Sequence, residues 1–386
     1  MKALLEKIAI LSLSLILVSA FAISSAMPDM IDHFAGQGIS ASQVELLATL
    51  PSFTIMASLL LNAWYSRFLS ERQIIVLGLI LISLCGAGPA FLHAYPIIFL
   101  LRLGLGFGLG MINARAINII SAHYQGKERI QTLGLRGSAE VLGSAIMTAI
   151  VGLLLPLGWQ AAFLVYLCGL VILLVFLLFV PDTPEAVSAT ADSKETKPSL
   201  TRTQVYYSLG LALVAFFVIN VNSAITLRIP QIVVNHSLGS ASQASYVLSA
   251  MQLMGIVSGV FFGPLLAKLK GKLLPASLLI FALAIFLVHI ATSIWTLALG
   301  GLLSGFFYSL MLNLVFSTAS ERTPAALLNT VTTIVLIGCN LGGGTSSLLP
   351  NWLDQLLPTT LGALGFYATL SLILALILFW KDSRAK

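Results

Sequence analysis

The stretches 99–120, FLLRLGLGFGLGMINARAINII, and 133–155, LGLRGSAEVLGSAIMTAIVGLLL, decide how the rest of the chain is read. Each is long enough to cross a bilayer as a helix, which takes about 20 apolar residues at a rise of 1.5 Å. A short charged loop joins them. The first nevertheless carries Arg102 and Arg115, and the second Arg136 and Glu140. An ionised side chain at hydrocarbon depth costs at least roughly 2.5–3.5 kcal/mol on insertion scales, so it faces a bundle interior or a water-filled path. The four could simply pair with one another and fix helix packing. Three cations against one carboxylate, however, leave positive charge over, which a packing device does not need.

Composition extends this reading to the whole chain. Of 386 residues, 58% are hydrophobic and only 9% charged, against roughly 25% charged in a soluble domain. A polytopic all-α membrane protein is the expectation. The net charge of +6 does not argue for nucleic acid, because the cations lie in short tracts between apolar segments and form no basic face. The membrane surface accounts for them. Cys85, Cys168 and Cys339 stand each alone in an apolar segment, offer neither a disulfide framework nor a metal spacing, and read as packing residues. A start with Lys2, Lys7 and an apolar run resembles a cleaved leader, but the run continues for about 20 residues, enough to span.

Apolar windows long enough to cross number twelve: 8–27, 42–62, 73–92, 95–119, 130–155, 158–180, 204–227, 243–266, 273–292, 294–318, 325–349 and 359–380. Sixteen of the twenty Lys and Arg residues then fall at connections on one face, from Lys2 and Lys7 through Arg67, Arg72, Lys127, Arg129 and Lys268 to the C-terminal tract. Only Arg228 lies near the opposite face, so the positive-inside rule puts both termini in the cytoplasm. The hydrophilic stretch 181–203 is rich in Pro, Ser, Thr and charge and reads as a flexible cytoplasmic linker. It divides the chain into a six-helix bundle over 1–180 and another over 204–386.

The two halves echo each other at a shift near 200. Ser40-Ala41-Ser42-Gln43 opens the second segment and Ser240-Ala241-Ser242-Gln243 the eighth, each preceded by a proline, Pro28 or Pro230. Gly106-Phe107 with Met111 and Asn113 in the fourth segment matches Gly305-Phe306 with Met311 and Asn313 in the tenth. Parallel repeats of this kind place a binding site between the halves near the bilayer midplane.

With six plus six helices and a central loop, the chain resembles the major facilitator superfamily over essentially its whole length. Three local patterns carry the likeness. The basic turn after the second helix keeps Arg67 and Arg72 but has Ser66 where the family has Asp, and its echo after the eighth keeps Gly263, Lys268, Lys270 and Lys272, again without the Asp. Arg102 followed by Gly106 matches an arginine that the family associates with proton coupling. The fifth helix has glycines at 137 and 143 but lacks the proline typical of drug/proton antiporters. The resemblance implies two pseudo-symmetric bundles, a monomer, and a secondary transporter of the plasma (inner) membrane. It would work by alternating access on a small-molecule substrate, with a proton gradient in place of any cofactor.

The residues supply a chemistry of their own. Arg102 lies about 10 Å inward from one end of its helix and Glu140 about 15 Å from the other end of an antiparallel one; in a core about 30 Å thick they differ in depth by roughly 5 Å. Arg136, one turn before Glu140, shares its face. Burial and a neighbouring guanidinium act on a carboxylate in opposite senses, which lets it take and release a proton as water access changes. Glu140 is therefore the candidate protonation site, with Arg102 or Arg136 sensing its charge, and Glu45 the runner-up. Arg102, Gly106 and Asn113 fall on one stripe of their helix, read as cavity-facing. Arg115 lies on another face, as a gate, a headgroup anchor or part of the cavity. Asn220, Asn222, Gln252, Asn313, Asn329 and Asn340 are candidates to line the path or to bond between helices. Phe306, Phe307, Tyr308 and Met311 would give it an apolar, adaptable wall. Arg67, Arg72 and Lys268 mark the gate loops, and the glycines at 104–110 and 342–344 allow close helix packing.

Three functions compete. A proton-coupled exporter of hydrophobic or amphipathic compounds fits the buried carboxylate and apolar walls. An uptake carrier or lipid flippase for an organic anion fits the surplus of Arg102, Arg115, Arg136 and Arg228 over Glu140. A membrane-embedded enzyme would need a catalytic constellation, and no HExxH, GxSxG or nucleotide-binding loop occurs.

Overall fold

The computed structural model describes residues 2–124, 126–180, 201–357 and 361–384. The expected linker lies almost wholly outside the described residues, as does the side chain of Asn329. Helices account for nearly everything described. In chain order they are α1 (Lys2–Leu15), α2 (Met27–Ala35), α3 (Ala41–Tyr65), α4 (Glu71–Ala87), α5 (Tyr95–His123), α6 (Gly126–Leu154) and α7 (Cys168–Phe179), then α8 (Arg202–Asn235), α9 (Ala241–Leu269), α10 (Leu273–His289), α11 (Ile294–Arg322), α12 (Ala325–Gly344), α13 (Leu348–Leu356) and α14 (Gly362–Arg384).

Among the described residues nine helical stretches are long and apolar enough to cross a membrane, or ten with the pair 330–344 and 348–356, which bends by 55° at its break. The difference from twelve segments has two structural causes. One stretch, Ala241–His289, holds both α9 and α10. The first segment is broken: α1 stops at Leu15, a 3-10 turn runs over Ala22–Ala26, and α2 begins at Met27. Large side chains face outward along the spans, among them Leu100 at 66% and Leu153 at 64% exposure, which suits hydrocarbon and would be untenable in water. Trp64, Trp295, Trp352 and Trp380, all more than half exposed, stand near helix ends, as interfacial tryptophans do.

Contacts divide the chain into two compact units, Met1–Ile23 with Leu50–Ser199 and Ser24–Thr49 with Leu200–Lys386. In the first, α4 packs along α5 and α1 along α6. In the second, α8 packs on α12, α9 on α11, and α10 on both α11 and α14.

Lipid tails give no hydrophobic drive between helices, so close backbone approach through small residues holds the packing together. The stripe in α5 shows how. A Cβ at Gly104 would meet the Cys85 Sγ at 2.6 Å and one at Gly108 the Gly78 carbonyl at 2.8 Å, which seats α4. Gly106 lies against Pro51 and Thr54, and a Cβ at Gly110 would meet Ser58 Cβ at 2.6 Å, which seats α3. The sequence repeat survives at this level: Gly106 abuts the carbonyl of Pro51, and within the second unit Gly305 abuts that of Met251. The two Ser-Ala-Ser-Gln tetrads are reciprocal caps. Gln43 Oε1 accepts from the Ser40 N–H at 2.9 Å, and Gln243 Oε1 from the Ser240 N–H at 2.9 Å, which satisfies donors a helix start leaves orphaned.

Candidate functional site

Arg136 and Glu140 form an ion pair at 2.7 Å, one turn apart on α6, with side chains 14% and 21% exposed. The guanidinium also donates to Asn113 Oδ1 of α5 at 3.2 Å, so the dyad ties two helices. The dyad is mostly covered, and α6 is open on its other side: a Cβ added at Gly134 or Gly137 would meet nothing within 4 Å, and Ser138, half a turn round from the pair, is exposed. An ionisable pair left partly exposed in a membrane-spanning helix can exchange a proton with water while keeping a fixed charge partner.

Arg102 is spent elsewhere. It is fully buried and donates to the Ala20 carbonyl at 2.6 Å and to the Tyr166 hydroxyl at 3.1 Å. The Tyr166 hydroxyl donates in turn to the Ser19 carbonyl at 2.8 Å, and Ser144 donates to that of Val18 at 2.9 Å. These carbonyls belong to the break between α1 and α2; that of Ser19 also accepts from the Ala22 N–H at 2.9 Å, and side chains from outside the break supply further donors that an interrupted helix does not. Arg102 therefore caps the broken first segment, and Arg136 is the partner that Glu140 holds. The stripe expected to face a cavity is a packing face at Arg102 and Gly106, because backbone acceptors that a sequence does not display draw it inward. Replacing Tyr166 by Phe is expected to lower the unfolding midpoint in detergent by removing the phenol acceptor of the buried Arg102 guanidinium and one of the two donors to the Ser19 carbonyl, about 1–3 kcal/mol. Transport per folded molecule should change little.

Arg115, 7% exposed, closes the basic turn between α3 and α4. It pairs with Glu71 at 3.1 Å, bonds Asn62 Oδ1 at 3.1 Å and reaches the Ser66 hydroxyl. Glu71 thus supplies the carboxylate that the turn lacks at Ser66. Arg72 donates to the carbonyls of Val180 at 2.8 Å and Leu177 at 3.4 Å, capping the end of α7. Arg67 and Lys268 are exposed.

In the second unit Glu45, 3% exposed, accepts from Gln231 at 2.7 Å and from Asn351 at 2.6 Å. The Asn351 oxygen accepts from Arg228 at 2.9 Å, and Arg228 pairs with Asp354 at 2.6 Å. Asn220, 1% exposed, donates to the Gly342 carbonyl and Thr345 hydroxyl at 3.1 and 3.0 Å and accepts from Tyr367 at 2.7 Å. It is an interhelical bond in the core, not a wall residue. Asn340 donates to Leu336 of its own helix at 2.9 Å, and Asn222 accepts weakly from Ser304 at 3.4 Å. Gln252 and Asn313 are half-buried. Phe306 lines an apolar cavity with Phe307, while Tyr308 packs on the core that holds the fully buried Met311.

A family model described as the Major Facilitator Superfamily matches residues 9–232 and again 211–386. The chain belongs to that superfamily. Solved structures of similar fold include a bacterial homolog of the human lysosomal transporter Spinster in an inward-facing, unoccupied conformation, at TM-score 0.75 and 16% identity over 98% of this chain and 97% of that one. A D-xylose-proton symporter matches at 0.74 and 17% identity, over 98% and 97%, and a nucleoside transporter at 0.74 and 13%, over 98% of both. A search of curated protein sequences finds no match. This facilitator is a multi-pass membrane transporter and not an enzyme.

The residues that sequence reasoning missed in this facilitator are partners rather than charges: Glu71, Tyr166, Gln231 and Asn351. Glu71 carried a signal, as the one carboxylate in a basic turn whose expected Asp is absent. The others read as ordinary members of apolar helices.

Proposed function

We propose that this facilitator exports small hydrophobic or amphipathic compounds in exchange for protons, in the plasma membrane with both termini in the cytoplasm. Glu140 takes and releases the proton, and Arg136 answers its charge. The observation that carries the reading is the Arg136–Glu140 pair within a membrane-spanning helix, held to α5 by Asn113 and still 14% and 21% exposed.

An organic-anion carrier was suggested by unbalanced arginines, and the pairing weakens that ground. Arg115 faces Glu71, Arg228 faces Asp354, Arg136 faces Glu140, and Arg102 is occupied by a carbonyl and a phenol. Three of the four arginines thus have a carboxylate partner, and the surplus charge among them falls to Arg102, which is fully buried and so cannot itself meet an anion. The test is reconstitution with two dyes of similar size, one an amphipathic cation such as ethidium and one an anion. Accumulation of the cation against its gradient under an imposed pH difference supports the reading; accumulation of the anion alone refutes it.

A further inference from the structure

Beside the basic turn that follows α9, a cavity of about 320 Å³ lies among Phe261, Leu265 and Leu269 of α9, Leu273 of α10 and Phe306 of α11. Its walls are hydrocarbon. The one hydroxyl there, that of Ser277, is donated to the Leu273 carbonyl of its own helix at 2.7 Å, so nothing polar remains inside to recognise a polar solute. At this volume the space is large enough for a ligand, but it suits only an apolar one.

The polar recognition stands at the rim. Leu269 and Leu273, two of the wall residues, bracket the 3-10 turn Lys270–Lys272, and Lys268 lies in the last turn of α9. The three lysines are exposed, and among the described residues none forms an ion pair. No Asp or Glu occurs between Glu195 and Glu321, so the α9, α10 and α11 walls bring no carboxylate to them. Lys270 moreover holds φ 47°, a backbone region that costs a non-glycine residue strain, although Gly271 adjoins it. Three unneutralised ammonium groups above a hydrocarbon cavity, at the level where two spans end, are complementary to one chemistry: a phosphate headgroup with an acyl chain beneath it.

We infer that the α9–α10 turn and the cavity beneath it form a binding site for an anionic phospholipid, its headgroup on Lys268, Lys270 and Lys272 and part of an acyl chain among Phe261, Leu265 and Phe306. The site is distinct from the Arg136–Glu140 dyad, which lies in the other unit.

The experiment is native mass spectrometry of the full chain, delipidated in detergent and titrated with dioleoyl-phosphatidylglycerol or dioleoyl-phosphatidylcholine. Wild type is expected to retain one phosphatidylglycerol at least tenfold more tightly than phosphatidylcholine. A variant with Lys268→Gln, Lys270→Gln and Lys272→Gln should lose that preference. Ala276→Phe, which fills the cavity from α10, should weaken phosphatidylglycerol with the lysines intact, and both variants should elute as wild type does in size exclusion. Equal retention of the two lipids overturns the inference, as does a preference that survives the triple substitution. Displacement of the lipid by an amphipathic cation as readily in the triple variant as in wild type also overturns it, since the cavity would then be a substrate pocket.

Discussion

Glu140→Gln is expected to abolish uphill, pH-driven transport, reducing accumulation in proteoliposomes to the level of empty vesicles while the folded yield stays near wild type. The two outcomes separate because glutamine keeps the shape and an acceptor for Arg136 but cannot carry the proton. Removing one partner of a fully buried pair costs about 3–5 kcal/mol; with 14% and 21% of the two side chains exposed, solvent screens part of that and the fold should survive. The comparison variant is Glu45→Gln, which loosens bonds from Gln231 and Asn351. Gradient dependence lost there and kept in Glu140→Gln would move the protonation site to the second unit.

Gly143→Val should nearly eliminate folded protein, by tenfold or more in monodisperse yield on fluorescence-detected size exclusion. A Cβ at Gly143 would overlap the backbone of Leu15, carbonyl and Cα together, where α6 crosses the end of α1. Backbone cannot rotate away as a side chain can, so the helices must part and the carbonyls of the broken segment lose the donors that meet them. Gly137→Ala on the same helix is the control. Nothing lies within 4 Å of its new methyl, and alanine favours a helix over glycine by about 1 kcal/mol, so the yield should hold or rise. Equal loss in both would mean that α6 tolerates no change in helix propensity and that the Leu15 contact is not what decides.

Hydropathy and the placement of cations made the membrane-spanning helices legible in advance, because each span must satisfy its own backbone in lipid and so reads as a long apolar run. The same logic explains what escaped. The first segment is a long apolar run holding five serines, yet it breaks after Leu15, where Arg102, Tyr166 and Ser144 arrive from elsewhere to meet its carbonyls. Those partners meet backbone carbonyls, which every residue has and no sequence pattern marks. Arg102 therefore resembled a coupling residue. Glu140 and Arg136 were legible because their spacing of four fixes their contact within one helix. Arg115 with Glu71 needed two helices and a turn to meet, and the Glu45 cluster draws on residues from 45 to 354.

The measurement that bears most directly on coupling is proton movement across proteoliposomes holding the wild-type protein, followed with a pH dye sealed in the lumen, on adding an amphipathic cation with no gradient imposed. The account predicts substrate-triggered proton flux in the direction opposite to the cation, absent in Glu140→Gln. Cation uptake into the vesicles with no accompanying proton movement would contradict it, as would the same flux persisting in Glu140→Gln.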